Sequence, residues 1–405
     1  MRVEVKKGYA CGSVRVPPSK SCAHRLLLGA ALADGVSTLR SVDLNEDILA
    51  TIDCVKSVGI NIIIENNAIK VEGGRAQFLK KRGELPHFFC RESGSTLRFV
   101  IPLAMLGGGG VFGGAPRLIS RGIGIYEELF AGNADIEKGE REIRLRGSLA
   151  SGKYRLAGNV SSQFVTGLLF ALSVLSGDSE IEVLPPFESR SYVDLTLGIL
   201  RRFGIKVDQK TEFCFAIPGG QKYLPIEAEV EGDYSQAAFF CGLNFLGGNV
   251  ALEGLDPMSL QGDRVCVELF EKMREGYVEA DLSDCPDLAP ILFAMASTGG
   301  GARFTGTRRL AIKESNRAQV MAEELAKFGA KITVFENEVV IEPSALHAPT
   351  EALCGHNDHR IVMALSVLAT RFGAEIEGAE AIAKSYPSFF ADLRGLGLEI
   401  VEYDT

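Results

Sequence analysis

Six glycines recur at nearly even intervals, and their spacing limits the fold more than any other feature of the chain. Gly59, Gly132, Gly204, Gly276, Gly329 and Gly397 are separated by 73, 72, 72, 53 and 68 residues. The clearest copies follow an amphipathic run and precede an alternating one. Examples are Leu200-Arg201-Arg202-Phe203-Gly204 before Ile205-Lys206-Val207, and Leu325-Ala326-Lys327-Phe328-Gly329 before Ala330-Lys331-Ile332. Such glycines suit helix C-caps, where a positive φ is cheap without a Cβ. The strands that follow should turn at Asn66-Asn67 and at Glu336-Asn337. A second marker, a polar cluster opening the preceding helix, falls at Ser21, Ser95, Ser162, Ser235, Asp287 and Asp358, with gaps of 74, 67, 73, 52 and 71. Both series share the same short step, which points to six related αβ units.

Six units are too many for one core in 405 residues, so two domains of three units each are expected. The breaks at Pro17-Pro18 and around Glu229-Val230-Glu231-Gly232 place one domain at 19–230. The other combines 1–18 with 231–405, so the first strand, Met1 to Lys6, belongs to the C-terminal half. With 46% hydrophobic and 23% charged residues, the chain reads as globular. Its net charge of −9 disfavours a sequence-independent nucleic-acid binder, while leaving room for local cationic sites for small anions. Nine scattered cysteines without a C-x-x-C read as free thiols in a reducing cytoplasm, with neither a disulfide framework nor a zinc site. Met1 to Lys6 lacks the apolar core of a secretory signal. The most apolar run, Phe164 to Leu175, is too short to span a membrane.

The helix openings carry the chemistry. Lys20-Ser21 follows Pro17-Pro18-Ser19, with Arg25 one turn beyond Ser21. Glu92-Ser93-Gly94-Ser95-Thr96-Leu97-Arg98 surrounds a helix start with hydroxyls and a glycine that admits close approach. Without Gly-Lys-Ser/Thr it is not a P-loop. Ser161-Ser162-Gln163 offers more hydrogen-bonding groups than a cap requires, and Ser189 and Tyr192 flank a further helix start. Asp287 is placed to cap an apolar helix from Leu288 to Ala296. Lys313, Glu314 and Arg317 share one helical turn. His356-Asn357-Asp358-His359-Arg360 opens another helix, and its two histidines alone make a weak metal site. Each cluster has an ordinary structural explanation as a cap or a solvated face. Together, Lys20, Arg25, Arg98, Arg121, Lys313, Arg317, Arg360 and Lys384 would hold a ligand with more than one anionic group. Asp287 and Glu314 would then be the carboxylates able to move protons.

This motif set is similar to that of the EPSP synthase (3-phosphoshikimate 1-carboxyvinyltransferase) family. It comprises Lys20-Ser21-x-x-x-Arg25, Glu92 to Arg98, Pro116-Arg117 with Arg121, Ser161-Ser162-Gln163, Lys313-Glu314-x-x-Arg317, Asn357 to Arg360 and Lys384-x-x-Pro387. The resemblance implies a two-domain inside-out α/β barrel and enolpyruvyl transfer from phosphoenolpyruvate to the 5-hydroxyl of shikimate 3-phosphate, by a cytoplasmic monomer. No metal or organic cofactor, nucleic acid or membrane is implied. Shikimate 3-phosphate would be held by Lys20, Ser21, Arg25, Ser161, Ser162, Gln163, Ser189, Tyr192, Asp287 and Lys313. Phosphoenolpyruvate would be held by Lys20, Gly94, Arg98, Arg121, Gln163, Arg317, Arg360 and Lys384. Asp287 would take the hydroxyl proton and Glu314 would protonate the methylene carbon, with Lys20 beside them as a catalytic cation. Glyphosate would compete where Gly94 leaves room.

The chain departs from the family pattern at Glu92, where Asn is often seen, at Arg309, where some members use Asn to contact the shikimate phosphate, and at Tyr234-Ser235-Gln236 in place of a more usual double Ser. The sister transferase acting on UDP-sugars would show Lys-Asn at the first motif and a Cys within 107–121; neither is present. A non-catalytic anion-binding scaffold and an RNA-end-processing enzyme are the other readings. Retention of Asp287 and Glu314 weighs against the first, and the negative charge against the second.

Overall fold

A computed structural model describes residues 1–65 and 68–403. The turn expected at Asn66-Asn67 lies outside the described residues. The chain forms two compact units, Pro18–Glu231 and residues 1–17 with 232–405, each around its own apolar core.

One topology is used repeatedly. In Pro18–Glu231 the three sheets run, strand by strand, Glu227–Glu229, Gly35–Arg40, Ala68–Gly73, Asn61–Glu65; then His87–Phe89, Gly109–Gly113, Glu142–Gly147, Ala134–Lys138; then Lys153–Ala157, Ser179–Leu184, Cys214–Ile217, Asp208–Thr211. In each, the first pair is parallel and the remaining pairs are antiparallel. The underlying order is strand, helix, strand, helix, hairpin. The first helix of each repeat is almost wholly buried: Lys20–Leu32, Gly94–Leu106 and Ser162–Leu172. Apolar residues all round these helices explain that burial.

The other unit has two complete sheets of the same kind. One is ordered Val278–Asp281, Ala302–Thr305, Glu338–Glu342, Lys331–Val334; the other Leu353–Cys354, Ala374–Glu377, Arg2–Val5, Ile400–Tyr403. Arg2–Val5 thus completes a sheet built from the C-terminal half, between residues 374–377 and 400–403. The third sheet is only the parallel pair Cys11–Arg15 and Asn249–Glu253.

That reduced sheet explains the short interval. All six marker glycines have positive φ, from 78° to 140°. After five of them the chain enters an antiparallel partner strand of its own sheet. After Gly276 it enters Val278–Asp281, the leading strand of the next sheet. A strand–turn–strand was expected there; the hairpin is missing, and with it the residues that would have kept the spacing near 70.

Candidate active site

In Pro18–Glu231 most of the expected residues fall in the first turns of the three buried helices, while Arg121 ends the short helix Pro116–Ser120 and Ser189 and Tyr192 open Arg190–Arg202. Ser19 caps the first, with its Oγ accepting from Cys22 N at 3.4 Å, so Lys20 and Ser21 are the first helical residues. Lys20 Nζ meets Asp47 Oδ2 at 2.8 Å. Ser93 caps the second helix, which begins at Gly94. A Cβ at Gly94 would lie 2.9 Å from Arg98 Nη1 and 3.6 Å from Arg121 Nη1, so this position closes against two guanidinium groups. Ser161 caps the third helix, accepting from Gln163 N.

Helix contact then brings these ends together. A Cβ at Gly167 would lie 2.5 Å from the main-chain oxygen of Arg98, so the second and third helices touch backbone to backbone. Arg98 Nη1 reaches Gln163 Oε1 at 2.6 Å, and Gln163 Nε2 donates to Ser95 Oγ at 2.9 Å. The Arg98 guanidinium also stacks over Phe164, 5.3 Å from the ring centre. Gly94, Ser95, Arg98, Arg121 and Gln163 therefore form one cationic cradle.

Arg25 is buried. It donates to Ser21 O (2.7 Å), Thr196 Oγ1 (2.8 Å) and Tyr192 O (3.0 Å), and lies over Phe99. It ties the helix of Lys20 to Tyr192, on the helix Arg190–Arg202. Ser189, at the N-cap of that helix, is buried with φ 54°.

In the other unit a network surrounds Asp287. Its Oδ1 accepts from Arg317 Nη1 at 2.7 Å and Lys313 Nζ at 3.3 Å, while Oδ2 accepts from Arg360 Nη2 at 3.1 Å. Arg317 Nη2 donates to Glu314 Oε2 at 2.7 Å. Asp287 was expected as an N-cap. It sits instead inside the 3-10 turn Pro286–Leu288, ahead of the helix Ala289–Thr298, so its carboxylate faces cations and not helix N–H groups. Lys313 and Glu314 were expected on one helical turn with Arg317. They precede the helix, which starts at Arg317 behind an Asn316 cap. The extended backbone at Lys313 lets Lys313 and Arg317 both reach Asp287. Lys384 Nζ donates to Asn357 O at 2.9 Å. His356 Nε2 pairs with Glu324 Oε1 at 2.9 Å. Among the described residues, no group of three or more His, Cys, Asp and Glu side chains is placed to hold a metal ion.

A model of the EPSP synthase (3-phosphoshikimate 1-carboxyvinyltransferase) family matches residues 6–393. The chain belongs to the EPSP synthase family. It is 41% identical to a 3-phosphoshikimate 1-carboxyvinyltransferase of Clostridium kluyveri, over 97% of this chain and 96% of the relative. It is 36% identical to one from Clostridium perfringens, over 95% and 96%. An EPSP synthase structure from Acinetobacter baumannii superposes with a TM-score of 0.77 at 23% identity, covering 99% of this chain and all of the other; it supports the fold.

The electrostatics of this EPSP synthase chain are set by the density of cations. Burial alone would raise the Asp287 carboxyl, but Arg360, Lys313 and Arg317 hold it well below the usual carboxylate range. Glu314 is pushed up by burial too, yet Arg317, His359 and Lys313 bring it well below its ordinary value. Both are held ionised, because Arg317 contacts both carboxylates and Lys313 lies beside them, even though Arg317 also pairs with Asp358. Burial lowers the Lys313 ammonium, with Arg317 and Arg309 adding to it against the pull of Asp287 and Glu314.

Further residues join these networks. Asp358, read only as a marker and cap, accepts from Arg317 Nε at 2.9 Å and from Ser315 Oγ at 3.0 Å. Ser235 links Asp233 to Arg360, donating to the first and accepting from the second at 2.9 Å. Asp47 holds Lys20. Its one sequence signal was the Asn45-Glu46-Asp47 acidic helix start.

Proposed function

We infer that this protein transfers the enolpyruvyl group of phosphoenolpyruvate to the 5-hydroxyl of shikimate 3-phosphate, releasing phosphate, in aromatic amino acid biosynthesis. The family match over residues 6–393 carries this reading. The cationic clusters support it, because both substrates are multiply charged anions.

In the first step the acceptor oxygen bonds to C2 of the enol, its proton leaves, and a proton is added at C3. In the second, the C2–O bond to phosphate breaks and a proton returns from C3 to the protein. We assign the proton from the hydroxyl to Asp287 and the exchange at C3 to Glu314. Both start ionised, so Glu314 needs a reason to take up a proton. Substrate anions supply one: a phosphate and a carboxylate beside Lys313, Arg317 and Arg360 offset the charge that keeps Glu314 acidic. The shikimate phosphate and ring are assigned to Lys20, Ser21, Arg25, Ser161, Ser162, Gln163, Ser189, Tyr192 and Lys313. Phosphoenolpyruvate is assigned to Lys20, Gly94, Arg98, Arg121, Gln163, Arg317, Arg360 and Lys384. Preorganised cations of this kind stabilise the departing phosphate without moving. Among the described residues no helix is long and apolar enough to cross a membrane. We propose a cytoplasmic monomer that needs no cofactor.

The test is phosphate release from phosphoenolpyruvate. Release should depend on shikimate 3-phosphate and be absent with a UDP-sugar acceptor. Release with the UDP-sugar alone would overturn the acceptor assignment.

A further inference from the structure

A buried line of hydrogen-bonding groups crosses three helices of Pro18–Glu231. His24 Nδ1 lies 2.7 Å from Thr51 Oγ1, Thr51 Oγ1 lies 2.7 Å from Thr96 Oγ1, and Thr96 Oγ1 lies 2.8 Å from Ser93 Oγ. All four side chains are at most 1% exposed. They sit on the helix of Lys20, the helix of Asp47 (Glu46–Ser57), and the helix of Gly94 and Arg98 with its cap. His24 Nε2 is buried and has no partner among the described residues. The ring stands edge-on to Phe99, centroids 6.2 Å apart.

These contacts fix which way the protons point. Burial holds the His24 ring down to about 3, with Lys20 and Arg25 adding and Asp47 opposing, so it is neutral at pH 7. A neutral imidazole has one N–H and one lone pair. A proton on Nε2 would be a buried donor without an acceptor, which is rarer and costlier than an unused lone pair. The proton therefore sits on Nδ1 and is donated to Thr51. Thr51 donates to Thr96 and Thr96 to Ser93 through the short contacts, and the Asp47 carbonyl, 3.4 and 3.3 Å away, accepts a weaker share of the same two protons. The Ser93 oxygen also accepts Thr96 N–H at 3.2 Å as the helix cap.

The geometry points to His24 as a positioning residue that, through Thr51 and Thr96, locks together the helices carrying Lys20, Asp47, Gly94 and Arg98. Asp47 is the junction. Its main-chain oxygen lies 3.4 Å from the Thr51 hydroxyl and 3.3 Å from the Thr96 hydroxyl, while its carboxylate holds Lys20. A shift in the line of hydroxyls therefore reaches the Lys20 ammonium and the Gly94–Arg98 cradle together. The kinetic consequence rests on the assignment of that cradle to phosphoenolpyruvate; the hydrogen-bond order does not.

Two measurements test this. Side-chain ¹⁵N NMR, with the His24 signal identified by its loss in His24→Asn, should show a neutral Nδ1–H tautomer from pH 5 to 8. An Nε2–H tautomer or an imidazolium at pH 7 would overturn the donor order. In steady-state assays at a temperature where circular dichroism shows every variant folded, His24→Leu and Thr96→Val should lower kcat/KM for phosphoenolpyruvate by about 10- to 100-fold, the size expected when a reacting group is misplaced from a distance. His24→Asn, whose amide can still donate, should restore most of the loss. Wild-type kcat/KM in both Leu and Val variants, with only a lower melting temperature, would reduce the line to a stability element. If the wild-type enzyme itself released no phosphate, the enzymatic reading would fail, and the NMR result would still decide the hydrogen-bond order.

Discussion

Arg317 and Asp358 are joined by two contacts, Nε to Oδ2 at 2.9 Å and Nη2 to Oδ1 at 3.3 Å, with the arginine 1% exposed and the aspartate 0%. Asp358 fixes one edge of the guanidinium so that its outer nitrogens meet Asp287 and Glu314. Removing one partner of a buried pair typically costs about 3–5 kcal/mol, and because Asp287 and Glu314 still face Arg317 the loss here belongs at the lower end. Asp358→Ala should lose stability of that order in urea denaturation, and Asp358→Asn less. Unchanged midpoints and slopes for Asp358→Ala would show that the pair does not hold Arg317 in place.

Glu314→Gln keeps the size of the side chain and a hydrogen-bonding oxygen for Arg317, but cannot exchange a proton. Turnover should fall by about 10² to 10⁴, the usual worth of one general acid or base. Calorimetric affinity for shikimate 3-phosphate should stay close to that of the wild type. Wild-type turnover would remove Glu314 from the mechanism.

At Gly94 a methyl group would sit 2.9 Å from Arg98 Nη1, tighter than side chains tolerate. Gly94→Ala should therefore displace the guanidinium and raise KM for phosphoenolpyruvate by about 10-fold. Folding stability should change little, since Gly94 opens a helix. In the wild-type enzyme glyphosate should inhibit competitively with phosphoenolpyruvate. Full activity in millimolar glyphosate would contradict that.

Acid should destabilise the protein by two routes of the same sign. His24 titrates near 6.5 when unfolded and at about 3 when folded. The unfolded chain thus binds more protons between those values, and stability falls as pH drops through that window. From pH 6.5 to 4.5 the loss is about 2–3 kcal/mol. Asp287 and Glu314 have depressed folded values, so their contribution is complete above the ordinary carboxylate range and is lost as pH falls below it. Urea denaturation at pH 7, 5.5 and 4.5 should show the histidine part as a slope that His24→Asn lacks. Parallel curves for the two proteins would exclude a buried neutral His24.

Local chemistry wrote part of this protein into its sequence. A positive φ at a helix end asks for glycine, so the repeat and its short step could be counted from Gly59 to Gly397 without coordinates. A helix start asks for a cap, so most polar clusters could be placed within two residues of Ser19, Ser93, Ser161, Asp233 and Asp358. Which residues then meet was a tertiary matter. Arg317 reaches Asp358 across 41 positions, Arg360 reaches Ser235 across 125, and Arg25 reaches Thr196 across 171. No periodicity links such pairs, because they meet only when separate repeats pack their buried helices side by side. The same packing decided that Asp287 faces cations and does not cap a helix: its pKa depends on burial and on Lys313, Arg317 and Arg360, which lie 26 to 73 positions away, whereas Glu314 draws largely on Arg317 and Lys313 in its own segment.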